Sequence, residues 1–262
     1  IALLVGSQTK KQKQTLHTLI KRGDVDIVIG THALIQDEVG FANLGFAIVD
    51  EQQRFGVNQR AALRQKGQDI PHLLVMTATP IPRTLALTMY GDLDISTISE
   101  LPSGRQEIKT RALKGNQRKA AYDFIRNQVQ EGRQGFVICP LVEESEVIEA
   151  RAAVAEHERL SQEIFPEFHL GLLHGRMKPQ EKDAVLKQFR DGEVNILVST
   201  AVVEVGIDVP NATVMLVDGA DRFGLSQLHQ YRGRVGRGQH QSYCMFLSES
   251  QSSDVVQRLE TI

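Results

Sequence analysis

Short, continuous apolar runs alternate with longer amphipathic segments along the whole chain, and this alternation restricts the fold more than any other feature of the sequence. The runs that predict strands are residues 1–5, 26–29, 46–49, 73–77, 135–141, 170–173, 195–198, 213–217 and 243–247. Several of them consist largely of Val, Ile and Leu, which is typical of parallel strands buried on both faces. The sequence therefore predicts an α/β fold in which helices cover both faces of a parallel sheet.

Some of the segments between these runs have the periodicity of an amphipathic helix and end at a glycine. They are residues 10–22, 116–131 and 179–191, followed by Gly23, Gly132 and Gly192. Glycine adopts the left-handed conformation in which many helices end, and proline, here Pro179, is favoured in a first helical turn. We expect each of these glycines to terminate its helix.

The length of 262 residues suits two domains of about 130 residues each better than a single core. Residues 101–116 contain proline, serine and two glycines and have no helical period. We therefore expect a linker at 104–116 that joins a first lobe, 1–103, to a second lobe, 117–262. Because the chain opens with Ile1 inside a predicted strand, we expect the first lobe to be truncated at its N-terminus.

Charge and cysteine content exclude several classes of protein. The 30 Lys and Arg residues balance 32 Asp and Glu residues for a net charge of −2, which excludes a uniformly basic, histone-like binder but not a local basic surface. No apolar run approaches the roughly 20 residues of a transmembrane helix.

The two cysteines, Cys139 and Cys244, lie in apolar runs and are too few for a disulfide framework or a zinc site. We expect them to be buried thiols in a reducing compartment.

Two adjacent carboxylates, Asp50 and Glu51, follow the predicted strand 46–49. Ligands of open α/β folds bind at the carboxyl ends of parallel strands. Nucleotide hydrolysis needs one carboxylate near Mg²⁺ and another that orients and deprotonates the attacking water, and adjacent residues can divide these tasks. An apolar run followed by Asp-Glu also occurs at strand ends by chance, so the pattern alone fits a catalytic site and an ordinary strand end.

Thr77 and Thr79 flank a small residue at the end of the next predicted strand. Their hydroxyls could bridge a carboxylate to a second ligand. Hydroxyl residues at strand ends are also common helix caps, and the prolines that follow at Pro80 and Pro82 favour a helix entry. Both interpretations stay open on this pattern alone.

The stretch from Arg222 to Ser248 contains four arginines, two histidines and no acidic residue. Within it, Arg234 and Arg237 are three residues apart with glycines beside them, so they can present two guanidinium groups to one phosphate chain. A glycine-rich loop with solvated arginines and a nucleic-acid backbone surface are equally consistent with the pattern.

A predicted strand end at residues 199–210 runs into a turn that contains Gly206 and Asp208. Such a turn can offer backbone N–H groups and a carboxylate to a ribose or a phosphate. A capping aspartate has the same appearance in the sequence.

Longer segments extend these motifs over essentially the whole chain. They are DEQQRFGV at 50–57, MTATPIPRT at 76–84, YGDLDISTISELPSG at 90–104, residues 139–148, LHGRMKP at 173–179, VVEVGIDVPNA at 202–212 and the arginine-rich residues 227–238. In this order they resemble the motor core of the superfamily 2 helicases and translocases, and among these the bacterial RecG branch-migration helicases. The motor of the transcription-repair coupling factor shares TATPIPRT and is the alternative, but YGDLD, ELPSGR and PLVEESE favour RecG.

The resemblance implies two RecA-like lobes of the P-loop NTPase helicase fold that bind ATP and Mg²⁺ and move along DNA as they close and open. It implies that Asp50 holds Mg²⁺, directly or through water, and that Glu51 is the base for the attacking water. The other implied residues are Gln53, Gly206 and Asp208 on the nucleotide, Gln230, Arg234 and Arg237 at the γ-phosphate, and Thr77 and Thr79 in coupling.

The resemblance also implies contacts with DNA. The implied residues are Gly30, Thr31 and His32 on the first lobe and Gly175, Arg176 and Thr200 on the second, which would grip phosphates rather than read bases. The family implies a monomeric bacterial protein of the cytoplasm, without a membrane partner, that acts on branched DNA such as stalled forks and Holliday junctions in recombination and repair. Without the resemblance, His32 and His174 fit core or turn histidines equally well.

Two departures from the family pattern bear on activity. The fourth position of the Asp-Glu box is Gln53 where the family has histidine, and glutamine cannot carry charge. The 262 residues contain no G-x-x-x-x-G-K-[ST] phosphate loop, since the stretch at 6–10 lacks the second glycine. We therefore expect a motor fragment, also without the family's wedge domain, that does not hydrolyse ATP by itself. A DNA-binding or interaction module without ATPase activity is the alternative.

Overall fold

A computed structural model of the chain describes residues 1–51, 63, 66, 70–77, 94–98, 100, 105–139, 146–200, 208–250 and 252–262. The chain divides into two compact units, Ile1–Asp92 and Leu93–Ile262. The first unit carries the predicted carboxylates, and the second carries the predicted arginines.

The described strands of the first unit form two parallel pairs. The pairs are β1 (Ala2–Leu4) with β2 (Val28–Gly30) and β3 (Phe46–Val49) with β4 (His72–Val75). In the second pair, Val49 lies opposite Val75, so both strands end at the same level. The residues that follow these two strands are thereby brought to one edge of the sheet.

Helix α1 (Lys10–Arg22) connects β1 to β2 and has the bounds that the sequence predicted. The Thr9 hydroxyl accepts a hydrogen bond from the backbone N–H of Gln12 at 3.3 Å, which caps the first turn. The helix ends at Gly23, whose φ of 82° is the left-handed conformation expected of a terminating glycine.

The second unit is built on one six-stranded sheet in which every strand pairing is parallel. Its strands are β5 (Lys109–Lys114), β6 (Gln134–Ile138), β7 (Leu170–Leu173), β8 (Ile196–Ser199), β9 (Ala212–Asp218) and β10 (Tyr243–Ser248), in the spatial order β5-β10-β9-β6-β8-β7. Its helices are α2 (Arg118–Gln130), α3 (Glu146–Arg159), which continues as a π-helix at Leu160–Ile164, α4 (Pro179–Arg190), α5 (Leu225–Arg232) and α6 (Ser253–Glu260).

This sheet is buried on both faces because its central strands are apolar at successive positions. On β6, Phe136 and Ile138 belong to one core cluster and Val137 to the other, as alternating strand residues must. Buried residues of α4, α5 and α6 complete the first cluster, and those of α2 and α3 complete the second. The prediction of a parallel sheet covered by helices on both faces is confirmed.

Residues 109–114 form a strand, β5, where the sequence suggested a linker at 104–116. The strand lies at the edge of the second unit's sheet and pairs with β10, with Lys109 opposite Tyr243 and Lys114 opposite Ser248. Its exposed lysines are tolerated because an edge strand has a single partner. This stretch therefore belongs to the second unit, which begins along the chain at Leu93.

Cys139 and Cys244 are buried, 3% and 0% exposed, as the sequence predicted. They lie in different core clusters, on opposite faces of the sheet. Burial raises the pKa of the Cys244 thiol. Within the described ranges, none of the helices is both long and apolar enough to cross a membrane.

Candidate functional site

The two predicted carboxylates follow β3 directly, at its carboxyl end. Asp50 is exposed, and its Oδ1 accepts a hydrogen bond from the backbone N–H of Glu51 at 2.9 Å. Glu51 has a φ of 52°, the one positive φ of a non-glycine residue in the described part of the chain. Such a conformation costs on the order of 1–3 kcal/mol and is found preferentially at functional sites. The geometry of this turn thus favours a functional carboxylate over an ordinary strand end.

Thr77 lies at the same sheet edge as these carboxylates. It follows β4 by two residues and is exposed, and the backbone N–H of the preceding Met76 donates to the carbonyl of Val49 at 2.8 Å. Thr77 is therefore close in the sheet to Asp50. Three other predicted site residues, Gln53, Thr79 and Gly206, lie outside the described residues.

Gly30, Thr31 and His32 form an exposed turn at the carboxyl end of β2. A Cβ atom at Gly30 would lie 2.2 Å from the carbonyl oxygen of Leu4, so only glycine allows this approach of β1 and β2. The Thr31 carbonyl accepts a hydrogen bond from Leu34 N–H at 3.0 Å, which closes the short 3₁₀ turn His32–Leu34. His32 is thus an exposed turn residue and not a core histidine.

In the second unit, Arg237 and Asp208 form an ion pair. Nη1 of Arg237 lies 3.4 Å from Oδ1 of Asp208, and its Nε donates to the carbonyl of Gly233 at 3.3 Å. Arg234 is half-buried, and its backbone N–H donates to the Tyr231 carbonyl at 2.9 Å, just beyond α5. The structure therefore brings together two residues that the sequence placed separately on a nucleotide.

Gln230 lies on α5 and is half-buried. It occupies the helix that leads into the loop of Arg234 and Arg237.

The turn that follows β7 contains Gly175 and Arg176, both exposed. Nζ of Lys182, on α4, donates to the Gly175 carbonyl at 2.8 Å. Thr200 lies beside this turn, because its N–H donates to the carbonyl of Leu173 at 3.2 Å. The three predicted second-unit DNA contacts are therefore adjacent, although Thr200 is only 3% exposed.

This turn is electropositive and has unsatisfied polar atoms. Burial, together with the positive charges of Lys182 and Arg176, lowers the pKa of His174. Nδ1 of His174 and the hydroxyl of Thr200 have no hydrogen-bond partner among the described residues. A surface depression of about 470 Å³ is lined by His174 and Arg176 and, from α3, by Arg151 and Glu158. Two arginines face one carboxylate in this lining, so an anionic group suits the turn better than a cation.

Sequence reasoning missed Lys182 and Arg151, which lie beside this turn on α4 and α3. Lys182 lies in the first turns of α4, a few residues after Pro179, and could have been placed near Gly175 from the strand–turn–helix pattern. Arg151 carried no such signal, because the extent of its helix was not predicted.

Three kinds of comparison with known proteins find families, proteins and structures that are similar to this chain. Residues 1–88 match the family model of DEAD/DEAH box helicases, and residues 116–239 match that of the helicase conserved C-terminal domain. The ATP-dependent DNA helicase RecG of Synechocystis sp. is 54% identical over 259 residues, which cover 99% of this chain and 31% of the relative. RecG of Thermotoga maritima is 49% identical, over 99% of this chain and 33% of the relative.

A solved structure of RecG bound to a three-way DNA junction is 45% identical, with a TM-score of 0.72, over 99% of this chain and 33% of that chain. The chain therefore spans about a third of the length of these three relatives. Its similarity covers both compact units and all the motifs discussed above.

Proposed function

We propose that the chain is a member of the RecG family of superfamily 2 helicases and forms the motor of an ATP-dependent DNA helicase acting on branched DNA. The observation that carries this proposal is the 54% identity over 259 residues with a RecG helicase, which includes the carboxylate, arginine and turn motifs. The relative solved with a three-way junction supports branched DNA as the substrate. Stalled forks and Holliday junctions, in recombination and repair, are substrates of this class.

On the first unit, we propose that Asp50 holds Mg²⁺ and that Glu51 takes the proton of the attacking water. An exposed carboxylate at a strand end fits Mg²⁺, which usually keeps several waters and binds one or two carboxylates plus phosphates. Bound Mg²⁺ would neutralise charge on the phosphates. The positive φ of Glu51 turns its side chain away from the direction that a regular strand would give it. A carboxylate turned out of the strand in this way would be placed to act as a base. Gln53, Thr77 and Thr79 are proposed to link this site to DNA.

On the second unit, we propose that Arg234 and Arg237 stabilise the charge that develops on the γ-phosphate. Arg237 would exchange its exposed contact with Asp208 for a phosphate, and an exposed ion pair is weak enough for this exchange. We propose that Asp208 and Gly206 contact the nucleotide and that Gln230 acts beside the arginines.

We propose that DNA phosphates bind the turns at residues 30–32 and 174–176. Both turns are exposed, and the second carries Arg176 and lies beside Lys182. Thr200 is buried, so its proposed contact requires its hydroxyl to become accessible when DNA binds. Binding through phosphates would be independent of base sequence and sensitive to salt. We also propose a monomer that acts in the bacterial cytoplasm.

The test uses a chimera in which this chain replaces the matching region of Synechocystis RecG, hereafter the chimera. We expect the chimera to hydrolyse ATP and to unwind a three-way junction faster than a linear duplex of the same composition. Hydrolysis without any preference for the junction would contradict the branched-DNA proposal. No hydrolysis by a folded chimera would favour the second candidate, a DNA-binding module.

A further inference from the structure

The segment immediately before β5 is hydrogen-bonded to the arginine loop, residues 233–241. Nε of Arg105 donates to the carbonyl of Gly236 at 2.7 Å, and Nε2 of Gln106 donates to the carbonyl of Gln239 at 3.0 Å. In the opposite direction, Nε2 of Gln241 donates to the carbonyl of Glu107 at 2.8 Å. Each of these contacts joins residues more than 100 positions apart in the sequence.

The arginine loop is also enclosed by close packing. Gly236 has a φ of 76°, and a Cβ atom there would lie 2.8 Å from Cγ1 of Ile108. A Cβ atom at Gly238 would lie 2.4 Å from the carbonyl oxygen of Pro210. Both distances are shorter than real Cβ contacts, so the loop runs between Ile108 on one side and Pro210 on the other and needs glycine at both positions. Arg237 lies between these two fixed glycines.

Strand pairing does not by itself account for these contacts. The β5–β10 ladder begins where Lys109 lies opposite Tyr243, and the Lys109 N–H donates to the Ser242 carbonyl at 2.9 Å. Residues 105–107 precede this ladder; the side chains of Arg105 and Gln106 donate to carbonyls in the loop, and the Glu107 carbonyl accepts from the Gln241 side chain. A hydrogen bond from a charged guanidinium to a carbonyl is stronger than one between neutral groups. Arg105 is half-buried, so less water competes with this bond.

We propose that Arg105 is a positioning residue for ATP hydrolysis, which holds the arginine loop through the Gly236 carbonyl so that Arg237 reaches the γ-phosphate. This inference rests on the proposed role of Arg234 and Arg237. Arg105 touches neither nucleotide nor DNA in this scheme. It acts by restricting the backbone on which Arg237 is carried, and small displacements of a group that stabilises charge are costly to the rate.

The first experiment measures amide hydrogen exchange in the 262-residue chain. We expect Arg105→Ala to speed exchange at residues 233–241 and to leave exchange in β6 and β9 unchanged. Arg111→Ala is the matched control, because Arg111 is an exposed arginine on β5, and it should change neither region. Unchanged exchange in the arginine loop of Arg105→Ala would overturn the proposal, whatever the effect on hydrolysis.

The second experiment measures steady-state ATP hydrolysis by the chimera with junction DNA. We expect Arg105→Ala to lower kcat on the order of 10- to 100-fold, with the KM for ATP and the Kd for DNA within about twofold of the parent. Arg105→Lys, which keeps a charged donor, should recover part of the loss, which a simple folding defect would not show. In the Arg237→Ala background, Arg105→Ala should have little further effect.

The two experiments separate the inference from the function on which it rests. If Arg237→Ala abolishes hydrolysis and Arg105→Ala leaves kcat unchanged, the arginine assignment stands and the positioning role of Arg105 is wrong. If Arg237→Ala leaves hydrolysis unchanged, the proposed function of the arginine loop fails, and with it the positioning of Arg237 for hydrolysis.

Discussion

Nη1 of Arg237 lies 3.4 Å from Oδ1 of Asp208, and the two side chains are 31% and 69% exposed. Sequence reasoning assigned both residues to the nucleotide but gave no reason to pair them with each other. Because the pair is open to solvent, water and salt screen its attraction, and the arginine can leave it at little cost.

The exposure of this pair predicts a small effect on stability. We expect Asp208→Asn to change the free energy of unfolding by less than about 1 kcal/mol, measured by urea denaturation of the 262-residue chain. Asp183→Asn, which removes an exposed carboxylate on α4, is the control. A loss of stability well beyond that of the control would show that Asp208 holds the loop in place. This result would contradict an ion pair that is exchanged for a phosphate.

The arginines are expected to act on the rate of hydrolysis. In the chimera, Arg234→Ala and Arg237→Ala should each lower kcat on the order of 10³-fold or more, because an arginine at the γ-phosphate stabilises charge in the transition state. DNA affinity without nucleotide should change little. Near-normal hydrolysis combined with weaker DNA binding would identify this loop as a nucleic-acid surface.

The 262-residue chain by itself should hydrolyse ATP negligibly. Its sequence contains no G-x-x-x-x-G-K-[ST] loop, so it lacks the lysine and backbone N–H groups that hold the β- and γ-phosphates. Phosphate release with and without junction DNA is the measurement, and the chimera is the positive control. Robust DNA-stimulated turnover by the chain alone would refute this prediction.

Arg176 is expected to bind a DNA phosphate. Arg176→Ala in the 262-residue chain should weaken binding to all DNA sequences alike and reduce the slope of log K against log salt by about one. Arg190→Ala, at the opposite end of α4, removes an exposed arginine away from this turn and should leave the slope unchanged. Loss of affinity for some sequences but not others would point to base recognition instead.

The lowered pKa of His174 predicts a dependence of stability on pH. Burial and the neighbouring charges of Lys182 and Arg176 favour the neutral imidazole in the folded state. The unfolded chain therefore binds this proton at a higher pH, and the stability contributed above about pH 6.5 is lost as the pH falls below it. We expect His174→Gln to lose less stability than the parent between pH 7.5 and 5.5. His72→Gln, an exposed histidine in β4, is the control, and an equal loss in both variants would contradict the assignment.

The strands of the second unit were largely predictable because they are buried on both faces. A short, continuous apolar run is typical of a strand that is buried on both faces. One such strand, β7, has the bounds that the sequence predicted. β5 was missed because Lys109 and Arg111 make it polar, and its strand state depends on pairing with β10, a distant segment. The extent of helix α3 was not predicted because its alanine-rich sequence has no marked apolar stripe.

The candidate site was predicted residue by residue, but its internal contacts were not. The motif at residues 50–51 indicated two carboxylates, while the left-handed backbone of Glu51 depends on the turn that the folded chain makes. The contact between Arg105 and Gly236 joins two segments through tertiary packing, and no pattern within either segment indicates the other. Local periodicity reports which residues are buried, and it does not report which loop lies against which.

The burial of both cysteines has a practical consequence for spectroscopy. Thiol reagents attack the thiolate, and Cys139 and Cys244 are 3% and 0% exposed, with the pKa of Cys244 raised by burial. A new cysteine at an exposed position such as Ser226 would therefore take up a maleimide dye far faster than the native pair. The second unit can be labelled at a chosen site for fluorescence without first removing its natural thiols, and its core stays as it is.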